Sequence, residues 1–129
     1  MKEREMENQD WSIPTGLSAK GRKAAFAIRN FAKSHGLVDS GGGKMFYTPS
    51  QWKASGQKYC GNSDLVVDYE GAAIQVATSL DAAFYSGSYA LHNGLYGVLD
   101  EIGLYMEEGT LWYSGVYPQR DPLKKGGVS

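Results

Sequence analysis

The sequence predicts an α+β fold: a mostly antiparallel five-stranded sheet, built from two hairpins plus one strand, with two long helices packed on one face. Three observations carry this. Residues 104–117 form two alternating apolar and polar runs around Glu108-Gly109, a pair suited to a tight turn because Gly accepts positive φ. Residues 65–78 repeat that form around Gly71-Ala72, with Gly first in the turn as type II′ geometry requires. Two further stretches, beginning at Leu17 and at Ser88, carry apolar residues three and four apart, the period of a helix buried on one side.

In chain order, residues 1–10 are charged and aperiodic and read as a disordered N-terminus, with residues 11–118 as a single domain. Trp11 and Ile13 are large and apolar and are expected to fold back onto it. Leu17, Ala24, Ile28, Phe31 and Ala32 form the buried stripe of the first helix, with Ser18 as N-cap and Gly36 as its stop. Gly21 weakens that helix by about 1 kcal/mol relative to Ala, so packing must help hold it. Phe26 falls nearly opposite the stripe beside Arg22, Arg29 and Lys33; these four make a secondary candidate site for a partner or ligand. Ser40-Gly41-Gly42-Gly43-Lys44 is no phosphate loop, since Val38 and Met45 stand where Gly and a hydroxyl residue are needed. It reads as a linker into a strand over 44–48. Thr48-Pro49-Ser50-Gln51 is a capping box with Pro at the first helical position, opening a short helix.

In the hairpin of residues 65–78, Tyr69 is expected to face Ile74 and Val67 to face Val76 on the core side. Asp68 then faces Gln75, and Glu70 faces Ala73, on the outer side. Leu91, Leu95, Val98, Leu99 and Ile102 form the buried stripe of the second long helix, which Gly103 ends. In the last hairpin Met106 faces Leu111 and Leu104 faces Tyr113 toward the core, while Glu107 meets Thr110 and Tyr105 meets Trp112 outside. Residues 119–129 read as a flexible C-terminal tail.

The 129 residues suffice for one domain that buries roughly two-thirds of its unfolded surface. A composition of 42% hydrophobic and 21% charged residues argues against wholesale disorder. No apolar run approaches the ~20 residues that span a membrane, and no signal-peptide stretch follows Met1. The single cysteine, Cys60, precludes an internal disulfide and fits a reducing compartment, so a cytoplasmic protein is expected. Charge is unevenly distributed. Residues 17–58 hold eight Lys and Arg against one acid, Asp39, whereas residues 59–109 hold eight acids and no Lys or Arg. The two halves either present separate charged contact surfaces or attract each other within the fold.

The predicted outer sheet face displays Asp64, Asp68, Glu70, Gln75, Tyr105, Glu107 and Trp112, the principal candidate binding face. Its aromatics sit among acids instead of the Lys and Arg that phosphate contacts require, which argues against direct nucleic-acid binding. Cys60 with His92 is the one conceivable thiol–imidazole pair, but no oxyanion site or orienting group accompanies it, so no catalytic residue is assigned. One Cys and two distant His do not make a zinc site, and Asp68 and Glu70 lack further spaced ligands, so neither metal nor cofactor is expected.

Three blocks carry a resemblance. Residues 11–25 (WSIPTGLSAKGRKAA), 46–52 (FYTPSQW) and 103–117 (GLYMEEGTLWYSGVY) resemble recurrent blocks of small uncharacterised proteins carried by bacteria, phages and prophages. The resemblance implies a mobile-element setting, in which small single-domain proteins often bind and block host machinery. The expected function is therefore a non-catalytic binding protein, such as an inhibitor of a CRISPR effector, whose acidic and aromatic surface meets a host protein with a basic one. The alternatives are a binder of a signalling nucleotide using Arg22 and Arg29, and a small Cys-dependent enzyme. Self-association is left open.

Overall fold

A computed structural model describes residues 11–40, 43–57, 60–78, 87, 89–110 and 112–119. Along these residues run α1 (Ala19–Ser34), β1 (Phe46–Tyr47), α2 (Pro49–Ala54), β2 (Leu65–Asp68), α3 (Gln75–Thr78), α4 (Tyr89–Glu101), β3 (Leu104–Thr110) and β4 (Tyr113–Pro118). The fold is α+β with one antiparallel sheet, in the order β1-β2-β4-β3. The expected N-terminal segment and residues 120–129 of the expected tail lie outside the described residues. Gln119, expected to begin that tail, is fastened: its backbone N–H donates to Gly103 at 2.8 Å and its side-chain amide to Leu104 at 3.0 Å.

Local chemistry fixes the helix ends. The Ser18 hydroxyl accepts from the Gly21 N–H at 3.0 Å, satisfying one of the first free donors of α1. Thr48 and Gln51 bond reciprocally at 2.9 and 3.0 Å, completing the capping box of α2. Ala24, Ala25, Ile28, Phe31 and Ala32 of α1 and Leu95 and Leu99 of α4 are buried in the main core. From the sheet, Leu65, Val67, Leu104, Met106 and Val116 meet them there. Trp11 joins this core, its indole N–H donating to Val38 at 2.7 Å and its ring edge-on to Phe46. On the other sheet face a smaller cluster forms from Trp52, Cys60, Val66 and Tyr113.

Three expectations are corrected. The sheet has four strands, not five, because residues 73–78 do not return along β2. After a turn at Gly71 (φ 75°) the chain enters α3, with Ile74, Ala77 and Thr78 buried. Ile74, Val76 and Thr78 satisfy the period of a strand, whereas Ile74, Ala77 and Thr78 satisfy that of a helix. Both edges of β2 are taken by β1 and β4, so the helical period prevails. The last hairpin turns later than Glu108-Gly109. Met106 pairs with Val116 and Leu104 with Pro118, with an irregularity between Glu108 and Thr110 and the turn beyond Thr110. Tyr113 consequently joins the smaller cluster instead of facing Leu104. Third, Ile102 is 40% exposed and not part of the buried stripe of α4.

Gly21 shows why a poor helix former stands in α1. A Cβ there would collide with the backbone carbonyl oxygen of Asp64. Gly21→Ala should therefore destabilise the domain by about 1–3 kcal/mol although Ala is the better helix former. A thermal melt should fall by roughly 5–10 °C; a rise would show that α1 and the start of β2 are not in contact.

Candidate functional site

The outer sheet face is built from side chains that alternate away from the main core. Tyr47, Val66, Asp68, Tyr113, Tyr117, Tyr105 and Glu107 come to it from all four strands. α2 lies across part of this face, held by Trp52, which is 3% exposed. Around Trp52 an aromatic ridge assembles: Tyr47 at 5.0 Å between centroids, Tyr113 at 4.7 Å and Trp112 at 5.8 Å. Lys44 caps one end, its ammonium 4.8 Å from the Tyr47 ring. The indole N–H of Trp52 is buried without a hydrogen-bond partner among the described residues.

A cleft of about 420 Å³ lies at the β3 side, lined by Cys60, Glu107, Glu108, Gly109 and Tyr117. A Cβ at Gly109 would stand 2.5 Å from the Tyr113 ring and 3.1 Å from the Cys60 sulfur, so the close packing here requires Gly. Cys60 enters with φ 70°, in the left-handed region that side chains other than Gly seldom adopt. Burial pushes the Cys60 thiol up; a hydrogen bond from Tyr117 opposes this, and the Glu107 charge adds to it. Tyr117 is itself pushed up to about 12, first by burial. Thiolate formation is thus disfavoured at neutral pH. His92 lies with α4 on the helical side, its Nδ1 donating to Ala77 at 2.9 Å, so the thiol and imidazole are on opposite faces of the sheet. Among the described residues no group of three or more His, Cys, Asp and Glu could hold a metal ion. No helix among them is long and apolar enough to cross a membrane.

A second cleft of about 340 Å³ is lined by Ser40, Gly43, Lys44, Asp68 and Glu70. Burial pushes the Asp68 carboxyl up; the Glu70 N–H, donating to it at 3.1 Å, opposes this, and the Glu70 charge reinforces it.

The residues expected on one face are therefore only partly brought together. Asp68 and Glu70 share the second cleft, Glu107 lines the first, and Tyr105 stacks on Tyr117 beside it, with centroids 5.6 Å apart. Trp112 packs into the ridge, 4.7 Å from Tyr113, and is half-buried. Asp64 turns toward α1, accepting from the Ser18 hydroxyl at 2.9 Å. Gln75 leaves the sheet altogether, on α3. Tyr47, Trp52, Tyr113 and Tyr117 were missed; spacing two apart along residues 113–117 was the one signal that Tyr113 and Tyr117 share a face. In the secondary candidate site, Phe26 is 42% exposed and Arg29 lies 5.0 Å over its ring. Arg22 and Phe26 line a groove on α1, while Lys33 is exposed in the last turn outside it.

No protein-family model, curated protein or solved structure matches the chain.

Asp68 gives a pH test. Its raised pKa means that the folded state holds the proton more tightly than the unfolded state. Stability is therefore lost as pH rises from the usual carboxylate range through the folded pKa. Asp68→Asn should raise the melting temperature at pH 7 by roughly a few degrees and leave it unchanged near pH 3. An equal effect at both pH values would refute this origin.

Proposed function

We propose that the protein is a non-catalytic binding protein that engages a protein partner with a basic surface through its outer sheet face. One observation carries this: the stack of Tyr105, on the edge strand β3, with Tyr117, on β4, stands beside the exposed acid Glu107. Aromatic anchors supply binding energy once water is excluded, and acids set the rate and orientation of approach. Asp68 and Glu70 extend the acidic surface beyond the aromatic ridge. Asp68, already desolvated and beside a second carboxylate, would gain from a cation that a partner brings.

The partner we propose is a bacterial defence protein, such as a CRISPR effector, met in the cytoplasm. The resemblance of the three sequence blocks to phage and prophage proteins supports it. Chemistry supports it too, because proteins that hold nucleic acid carry basic surfaces that an acidic face can occupy. The same acids disfavour direct contact of this face with nucleic acid.

The test begins with the partner recovered from bacterial lysate by the full chain and identified by mass spectrometry, followed by kinetics on the purified pair. Reversing Asp68 and Glu70 to Lys should slow association about tenfold at low salt and much less at high salt, because screening removes steering. Tyr105→Ala should instead speed dissociation by about tenfold. Trp112→Ala is expected to lower stability as well, since Trp112 packs on Trp52 and Tyr113. Kinetics indifferent to the charge reversal and to Tyr105→Ala would remove the outer face as the binding surface.

A further inference from the structure

We infer that the groove along α1 is a second binding site, shaped for an acidic amphipathic segment of another protein and independent of the outer sheet face. It measures about 530 Å³ and is lined by Ala19, Arg22, Lys23, Phe26, Ala27, Asn30 and Ile102. Six of these positions follow the spacing 19, 22, 23, 26, 27, 30, a continuous stripe on one side of α1. At 1.5 Å per residue the stripe runs roughly 16 Å, about three helical turns.

Two of the four large apolar side chains exposed among the described residues, Phe26 and Ile102, meet in this groove. Ile102 reaches it because the chain leaves α4 just before it, its N–H still bonded to Leu99 at 3.1 Å. Ala19 and Ala27 keep the floor low between them. Phe26 is held in place: the Arg29 guanidinium lies 5.0 Å over its ring and donates to the Trp11 carbonyl at 3.4 Å. A side chain already ordered in the free protein loses less entropy when a partner covers it.

Charge selects the occupant. The lining carries Arg22 and Lys23 and no acid, so an apolar segment flanked by carboxylates matches it, and one flanked by Lys does not. A helix presenting Leu at every third or fourth position and Glu between would set Leu against Phe26 and Ile102 and carboxylates against the two cations. Nucleotides fit less well, because one side of the Phe26 ring is taken by Arg29 and Asn30 is the one uncharged polar side chain in the lining.

The test uses the full chain and a fluorescent synthetic peptide of about four helical turns with Leu at helical spacing and Glu elsewhere, read by polarisation. Binding should fall at least tenfold with Phe26→Ala, with Ile102→Ser and with Arg22→Glu. It should fall equally when Lys replaces Glu in the peptide. All three side chains are exposed, so thermal melts of the variants should stay near that of the parent. The inference is overturned if the Lys peptide binds equally, or if the Glu peptide binds but Phe26→Ala and Arg22→Glu leave its binding unchanged. It is likewise overturned if a cyclic dinucleotide or polyuridylate displaces the Glu peptide at this groove. Light scattering that shows self-association abolished by Phe26→Ala would assign the groove to a second copy instead.

Discussion

β2 is the constraint on which the other elements depend. Leu65, Val66 and Val67 are fully buried, the first and third under the helices and the second under Trp52, so both faces of a four-residue strand are covered. Both edges are paired as well, to β1 and to β4. Its start presses the Asp64 carbonyl against Gly21, which fixes how closely α1 approaches. Its end continues into Tyr69, whose buried hydroxyl meets Ser114 at 2.8 Å, tying the chain after β2 to β4. A strand so enclosed leaves no room for a neighbour from residues 73–78, and those residues pack as α3 against α4. The carbonyls at that end of α3 are then satisfied by side chains of α4: Ala77 by His92 and Thr78 by Tyr96 at 3.2 Å.

What the sequence made legible was local, and what it concealed was pairing. Ser18, Thr48 and Gln51 announce helix starts because a cap is made within four residues. The burial of Leu104 and Met106 beside exposed Tyr105 and Glu107 was legible because alternation fixes which side chains share a face. Alternation says nothing about which strand lies alongside. β4 therefore joins β2 to β3, and Glu108-Gly109, suited to a turn, serves as an irregularity beneath the Tyr113 ring. That single change of register sends Tyr113 to the outer face and creates the ridge with Trp52 and Trp112. The candidate surface was thus legible at Asp68, Glu70, Tyr105 and Glu107. It was not at Asp64 or Gln75, whose positions depend on α1 and on the absence of a fifth strand.

The ridge changes the chemistry of the outer face. An open sheet would leave Cys60 and Asp68 in water, where both would ionise near their ordinary values. With Cys60 packed beside Trp52 and Tyr113, and Asp68 in the cleft with Ser40, Gly43 and Lys44, each is partly desolvated, and each has an acid for its neighbour, Glu107 or Glu70. Desolvation and like charge act in the same direction, holding protons on. A thiol kept neutral is a poor nucleophile, and a carboxylate kept near other negative charge is a receptive one for a cation. Both consequences support the binding role proposed for this face.

The two oppositely charged halves of the sequence meet where Lys44 lines a cleft with Asp68 and Glu70. Asp64 meets a hydroxyl at the start of α1, that of Ser18, while Arg22 and Lys23 stand exposed on the helix. Glu70 and Glu107 are exposed with the sheet. A helix with its side chains is about 10 Å across, and the screening length at physiological salt is about 8 Å. Exposed charges separated by more than that width interact weakly through solvent. The two surfaces proposed for binding thus differ in charge, the acidic one on the sheet and the basic one along a helix. A change of charge on one should leave binding at the other unaltered.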